Sequence, residues 1–457
     1  MPAEDVDVVV IGLGPGGEAL TGQLARGGLS VVGVDARLVG GECPYYACIP
    51  TKAMVRAADS LAEARRANQL AGTVQVHPEW SIVAKRVRDE ITANWNDQAA
   101  VDRLVAAGAR IERGWGRITG RHEVTVSTKD GDKVFRTRRG IVLNPGSDPA
   151  VPPVDGLADT PLWTNREAVA ATSVPESLIV LGGGPVGCEF AQIFARFGAQ
   201  VTLVQRNERL LPNDEPEAGD LLKDVLTREG LRVMTGARIS SASHDGTSFE
   251  VVVGDETLTA AQVLVATGRK TDFAALGVKA VGLPDDGRVI EVDERMRATD
   301  GVWVIGDITG KGAFTHMSMY QSEIAGRDIL GEDGPPARYH AVPHATFTDP
   351  EIGGVGLTEA AARAQGLNVR TGFTLLSASS RGFVHGPGND GFIKVVEDAD
   401  RGVLVGATVA GPAGGEILSA LLVAVHGEVP TATLRTMILT YPTFHRAIGS
   451  ALADLEQ

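Results

Sequence analysis

"VDVVVIGLGPGGEALTGQLARGGLSVVGVD", Val6 to Asp35, reads as a Val/Ile-rich strand, a glycine turn, an amphipathic helix, a glycine stop and a second strand. Its apolar runs are continuous rather than alternating, as in parallel strands buried on both faces. The pattern recurs: "SLIVLGGGPVGCEFAQIFARFGAQVTLVQR", Ser177 to Arg206, repeats it element for element. Two such units predict an α/β chain with two Rossmann-like dinucleotide-binding domains.

Gly12, Gly14 and Gly17 form the first G-x-G-x-x-G turn. The first glycine permits the turn, the second lets backbone approach a pyrophosphate, and the third lets helix and strand pack closely. The phosphates then face a helix N-terminus, where N–H groups and the macrodipole favour negative charge. Asp35 ends the following strand, where a carboxylate accepts hydrogen bonds from ribose hydroxyls. The second turn is Gly182, Gly184 and Gly187, and here Gln205 takes the place of the acid, followed by Arg206 and Arg209. An acid would repel a 2′-phosphate, whereas arginines beside a neutral residue suit one. NADPH is therefore the expected coenzyme in preference to NADH. The competing reading makes the arginines solvated surface charge and leaves either coenzyme acceptable.

The chain of 457 residues is too long for one core. Hydrophobic residues make up 43% and charged residues 22%, as in globular proteins. A formal net charge of −14 argues against sequence-independent nucleic-acid binding and against an anionic membrane surface. No apolar run approaches the roughly 20 residues of a membrane helix. The acidic "MPAEDVDVVVIG" lacks the basic start of a secretory signal. Three cysteines do not make a disulfide scaffold, so a cytoplasmic location is the default expectation.

Four segments are expected. Residues 1–152 form the first nucleotide-binding domain, and Pro-rich "NPGSDPAVPPVDG" leads out of it. Residues 153–272 form the second. Residues 273–340, with "TDGVWVIGDITG", return to the first. Residues 341–457 change texture: strand-like "DGFIKVVED" and "GVLVGATVAG" precede helical "GEILSALLVAVHG", predicting an α+β domain. The stretch from Ala57 to Ala107 reads as helices packed on the first domain.

"GGECPYYACIPTK", Gly40 to Lys52, holds Cys43 and Cys48. Zinc lacks a second Cys/His pair at ligand spacing. An inert buried thiol describes Cys188, inside a helix, better than either. A redox-active pair fits best: Cys48 would open a helix and Lys52 follows four residues on, and both features stabilise a thiolate.

With these motifs in hand, the chain resembles the FAD-dependent pyridine nucleotide–disulfide oxidoreductases, the family of lipoamide dehydrogenase, glutathione reductase and mercuric reductase. "GLGPGG" is similar to the FAD turn, "GGECPYYACIPTK" to the C-x4-C redox motif, "GGGPVGCEFA" to the nicotinamide-nucleotide turn and "VIGDITG" to the second FAD motif. "FTDPEIGGVGLTE" resembles the opening of the dimerisation domain, which implies a homodimer. The resemblance implies that Cys48 lies against the flavin as charge-transfer thiolate, that Cys43 attacks the acceptor, and that Lys52 sits near flavin N5 and pairs with Glu189. Asp307 would bind the ribityl chain and His316 would touch the flavin. Gly41, Gly146 and Gly268 would line the cofactors. No metal site is implied.

The resemblance has departures: "NPGS", Asn144 to Ser147, stands where the family usually has A-T-G and reads as a tolerated turn variant, Pro44 is unusual inside the cysteine motif, and the C-terminal motif is changed. Disulfide-reducing members carry H-P-T-x-x-E near the C-terminus, a general acid/base and the glutamate that orients it. Here "TYPTFHRA" puts Tyr441 at the histidine position and Arg446 at the glutamate position. His445 would substitute if the loop turns helically, Tyr441 would act as donor or ligand, or the acceptor needs no such proton. Mercuric reductases place tyrosine here but usually add a C-terminal cysteine pair, and no cysteine follows Cys188. The expected activity is electron transfer from NAD(P)H through FAD and the cysteine pair to a disulfide or other small acceptor. Quinone or metal-ion reduction, and a lipoamide-dehydrogenase-like subunit of a larger complex, are the alternatives.

Overall fold

The computed structural model describes residues 3–455. They divide into two compact units. The first comprises residues 3–50, 85–149 and 269–338, and the second residues 51–84, 150–268 and 339–455.

The first unit is built on a sheet ordered Arg297–Thr299, Val302–Val304, Gly131–Leu143, β1 (Glu4–Ile11), β2 (Val31–Asp35), Arg110–Arg113. All neighbours pair in parallel except the first two. Helix α1 (Pro15–Arg26) links β1 to β2. From Val8 on β1 buries every residue, with Val8, Val9 and Val10 wholly excluded from solvent, and β2 buries all but Asp35, which is why these runs show no alternation. An antiparallel hairpin, Trp115–Gly120 and Glu123–Thr128, extends Gly131–Leu143.

The second unit carries a parallel sheet ordered Arg232–Met234, Gln200–Val204, Ser177–Leu181, Gln262–Val265. A three-stranded antiparallel sheet, Ile239–His244, Phe249–Val253 and Glu256–Ala260, shares its core through Phe249 and Val251. Its C-terminal part is a five-stranded antiparallel sheet, with Val403–Gly411 between Glu351–Gly356 and Phe392–Asp398. Helices Gly414–His426 and Ala447–Asp454 bury Leu418, Leu421, Ile448 and Leu452 on it.

The helical stretch expected to pack on the first domain divides instead. Residues 51–84 cluster with the second unit and those from Lys85 on with the first. The reason is side-chain chemistry. Trp80 donates its indole N–H to Ala171 C=O at 2.9 Å and meets the rings of Phe194 and Phe197.

Candidate active site

The two glycine turns are sterically compelled. A Cβ on Gly12 would lie 2.1 Å from Asn144 C=O, and one on Gly17 2.0 Å from Gly12 C=O. In the second turn the corresponding distances are 2.3 Å from Gly182 to Ala266 C=O and 1.8 Å from Gly187 to Gly182 C=O. The middle glycines differ: Gly14 would meet only the Asn144 amide at 3.5 Å, and Gly184 nothing within 4 Å. Both helices begin with proline and have no side-chain cap. Room beside the middle glycine and uncapped N–H groups beyond it are what a pyrophosphate requires, so both turns fit a dinucleotide. Gly41, at φ +70°, closes on the first turn: its Cβ would stand 2.8 Å from Gly14 Cα.

The residues ending the second strands have matching places. Asp35 Oδ2 accepts from Leu13 N–H at 2.8 Å and Oδ1 from Arg37 N–H at 2.7 Å. Burial pushes its carboxyl up, against those two N–H groups and the nearby Arg113 and Arg37. Gln205, also buried, accepts from Gly183 N–H at 3.3 Å and donates to Arg209 C=O at 3.3 Å. Arg206 and Arg209 are exposed beside it. Gly268 closes the middle segment of the second unit at φ +133°.

In the first unit, Asp307 opens a short 3₁₀ turn after Gly306 at φ +81°. Its Oδ2 accepts from Ser147 Oγ at 2.6 Å, and Ser147 Oγ accepts from Arg269 Nε at 2.8 Å. Gly146, just before Ser147, takes φ +66°. The "NPGS" stretch that departs from the family pattern thus provides the hydroxyl that holds Asp307. It also provides Asn144, whose buried amide donates to Gly12 C=O at 3.2 Å. His316 stacks on Phe314 with ring centroids 5.2 Å apart.

Cys43 lies in the short helix α2 (Glu42–Tyr45), and Cys48 is the first residue of α3 (Cys48–Leu70). Tyr46 and Ala47 both return their N–H to Glu42 C=O, at 2.8 and 2.9 Å, so the chain turns sharply between the cysteines. Both thiols are partly buried. Cys48 Sγ lies 3.4 Å from Thr315 Oγ1, the first residue of the helix Thr315–Leu330. Cys48 therefore stands at two helix N-termini, its own and that of Thr315, where a thiolate is favoured. Cys188 is fully buried and donates to Gly183 C=O at 3.4 Å, and burial pushes its thiol up, so it is the inert one.

In the second unit, Lys52 Nζ donates to both oxygens of Glu189, at 2.9 and 2.6 Å. Glu189, 4% exposed, also accepts from Phe347 N–H at 2.9 Å, and the Lys52 ammonium lies 4.7 Å over the Phe347 ring. The same helix face continues with Gln192, bonded to Asp349 N–H and C=O, and with Arg196, which bridges Asp59, Glu229 and Asp349.

Burial, with Asp349 and Glu351 nearby and Arg196 opposing, pushes the Asp59 carboxyl up to about 6 from 3.8. The folded protein therefore holds this proton more tightly than the unfolded chain, so the Asp59 contribution to stability falls as pH rises from about 4 to about 6. Thermal melts of the wild type and Asp59→Asn across this range should show the wild type losing ground to the variant with rising pH. A constant gap contradicts the assignment.

Tyr441 is two-thirds exposed, with the Arg446 guanidinium 5.5 Å over its ring. His445 Nε2 lies 3.4 Å from Thr443 Oγ1, in a chain that turns from Phe444 onward into the helix Ala447–Asp454. His445, Phe444, Arg381 and Glu416 line a cleft of about 680 Å³. Thr315, which touches Cys48, is not singled out by the sequence, and Phe347, which holds Glu189, opens the "FTDPEIGGVGLTE" stretch with no sign there of that role. Among the described residues no group of three or more His, Cys, Asp or Glu could hold a metal ion, and no helix is long and apolar enough to cross a membrane.

Residues 6–323 match the family model described as pyridine nucleotide-disulphide oxidoreductase, and residues 342–452 match that family's dimerisation domain. The chain is similar to a dihydrolipoyl dehydrogenase of Chlorobaculum tepidum, 31% identical over 100% of this chain and 98% of the relative. It is similar to a mercuric reductase of Shewanella putrefaciens, 29% identical over 95% of this chain and 78% of the relative. Among solved structures, the HOCl-induced flavoprotein disulfide reductase RclA from Escherichia coli superimposes with a TM-score of 0.85 at 25% identity, covering 98% of this chain and 99% of that one. The chain belongs to the pyridine nucleotide-disulphide oxidoreductase family, as an oxidoreductase that uses FAD and a pyridine nucleotide and carries the family's dimerisation domain.

Proposed function

We propose that this enzyme takes electrons from NADPH and delivers them through FAD and the Cys43–Cys48 pair to a small acceptor. The observation that carries the reading is the 3.4 Å contact of Cys48 Sγ with Thr315, in the segment that follows the second FAD motif. Bound FAD would supply two-electron transfer between the nicotinamide and the cysteines. The turns at Gly12–Gly17 and Gly182–Gly187 would hold the two pyrophosphates, with Asp35 on one ribose and Asp307 on the ribityl chain. Gly41, Gly146 and His316 would line the flavin side, and Gly268 the nucleotide side. Lys52, held by Glu189, would present a fixed positive charge near the flavin. On reduction the Cys43–Cys48 bond would take up two electrons and one proton and leave a Cys43 thiol and a Cys48 thiolate. With a disulfide acceptor, the Cys43 sulfur would give up its proton and attack one acceptor sulfur, breaking the acceptor bond and releasing one thiol. The Cys48 thiolate would then attack Cys43, re-forming the Cys43–Cys48 bond and expelling the second acceptor sulfur, which takes its proton from a donor or from solvent.

For the coenzyme, Arg206 and Arg209 stand exposed next to a neutral Gln205, which suits a 2′-phosphate. Arg206→Glu is expected to lower kcat/KM for NADPH by about 10–100-fold, the worth of a charge-assisted hydrogen bond. NADH should change far less. Equal losses with both coenzymes contradict the assignment.

For the acceptor, the exposed Tyr441 under Arg446 supports one that needs no imidazole acid/base, a quinone or a metal ion, beside the disulfide reading. His445, which lines the cleft with Phe444, would act as proton donor if a disulfide is the acceptor. Stopped-flow mixing of NADPH-reduced enzyme with disulfides, quinones and metal ions decides between them. Phe383, Val423 and Ile438 are large apolar residues exposed on the C-terminal part of the second unit, which supports pairing with a second copy there.

A further inference from the structure

Val87–Ile91 forms a π-helical turn, closed by Thr92 N–H to Val87 C=O at 2.9 Å. Ala93, Asn94 and Trp95 follow at φ +48°, +56° and +55°. L-residues enter this left-handed region singly and rarely, so three in succession without a glycine are strained. Such a run persists only where surrounding contacts over-determine it.

Those contacts converge on the residues around the cysteines. Trp95 Nε1 donates to Tyr45 C=O at 3.2 Å. The Trp95 ring stacks on Tyr46, with centroids 6.3 Å apart and planes 24° from parallel. Two residues on, the buried Asp97 accepts from Val39 N–H at 2.6 Å and pairs with Arg113 at 2.5 Å. The strained segment thus grips the chain just before Cys43 and again between Cys43 and Cys48. An apolar ring in relaxed backbone would fill the same space. The indole N–H aimed at a main-chain carbonyl instead fixes the position of the turn itself.

We propose that Trp95 is a positioning residue for the cysteine pair: by pinning the Tyr45–Tyr46 turn it keeps the Cys43 sulfur within bonding reach of Cys48. The inference rests on the redox role of the pair proposed above. A pinned turn raises the effective concentration of one thiol at the other and so favours the disulfide. Releasing it makes the disulfide easier to reduce.

The test equilibrates the flavin-loaded, full-length enzyme in buffers of reduced and oxidised glutathione. In each, two glutathione thiols become one glutathione disulfide as the Cys43–Cys48 bond accepts two electrons and two protons. The fraction of disulfide is read by alkylation and mass spectrometry. Trp95→Ala is expected to lower the equilibrium constant for the disulfide by about tenfold, a potential shift of about 30 mV. Tyr46→Leu, which removes the opposite half of the stack, should do the same. Trp95→Phe keeps the stack but loses the indole N–H to Tyr45 C=O, and should lower the constant by about threefold, between the wild type and Trp95→Ala. Trp95→Ala or, should that variant not fold, Tyr46→Leu titrating with the wild type overturns the inference. A wild type that forms no Cys43–Cys48 disulfide at any glutathione ratio overturns the redox reading as well.

Discussion

Cys48→Ser should lose NADPH-driven disulfide reduction by about 10³-fold or more, and with it the long-wavelength absorbance that a thiolate gives beside an oxidised flavin. Serine cannot form the disulfide, and no other sulfur is placed to replace it, since Cys188 is buried in the helix Pro185–Arg196 and its thiol is pushed up. Position 48 also carries the electrostatic setting, with Thr315 at 3.4 Å and two helix N-termini, that makes a stable thiolate possible. Cys43→Ser should separate the roles. It should stop disulfide reduction while keeping both the absorbance and quinone reduction. Absorbance retained in Cys48→Ser, or lost equally in both variants, contradicts this division.

Lys52→Met should cost about 3 kcal/mol of stability, because it strands a carboxylate that is 4% exposed. Glu189 would keep only the Phe347 N–H. The lysine side chain is itself 34% exposed, which sets the estimate at the low end of the range for breaking a buried pair. Lys52→Met combined with Glu189→Leu should recover more than half of the loss, since removing both charges also removes the unpaired one. Urea unfolding of the four proteins gives the coupling directly. A single variant as stable as the wild type, or a double variant less stable than Lys52→Met, rules out the ion pair as a structural anchor.

What was legible in the sequence is what short-range sterics dictates. The glycine turns could be read because a Cβ at Gly12, Gly17, Gly182 or Gly187 would enter a carbonyl at 1.8–2.3 Å, so the chain announces the turn by spacing alone. The buried parallel strands could be read because double-sided burial leaves no alternation. The residues that hold the reactive groups were not legible. Thr315 reaches Cys48 across 267 positions, and Phe347 reaches Glu189 across 158. Neither leaves a periodic trace. Asn144 and Ser147 read as a tolerated turn variant, and only the fold reveals an amide under Gly12 and a hydroxyl on Asp307. The long helix α3 was visible as a helix, but Lys52, Asp59 and Arg66 each also reach a charge more than 130 residues away, which the sequence does not mark.

The most direct measurement is differential alkylation of Cys43 and Cys48 in the purified holoenzyme, before and after one anaerobic equivalent of NADPH, read by peptide mass. The expected result is an unlabelled, disulfide-linked pair at the start and label on both cysteines after reduction. Cysteines that take label without NADPH, or that stay unlabelled once NADPH has been consumed, would contradict a pair that carries the electrons.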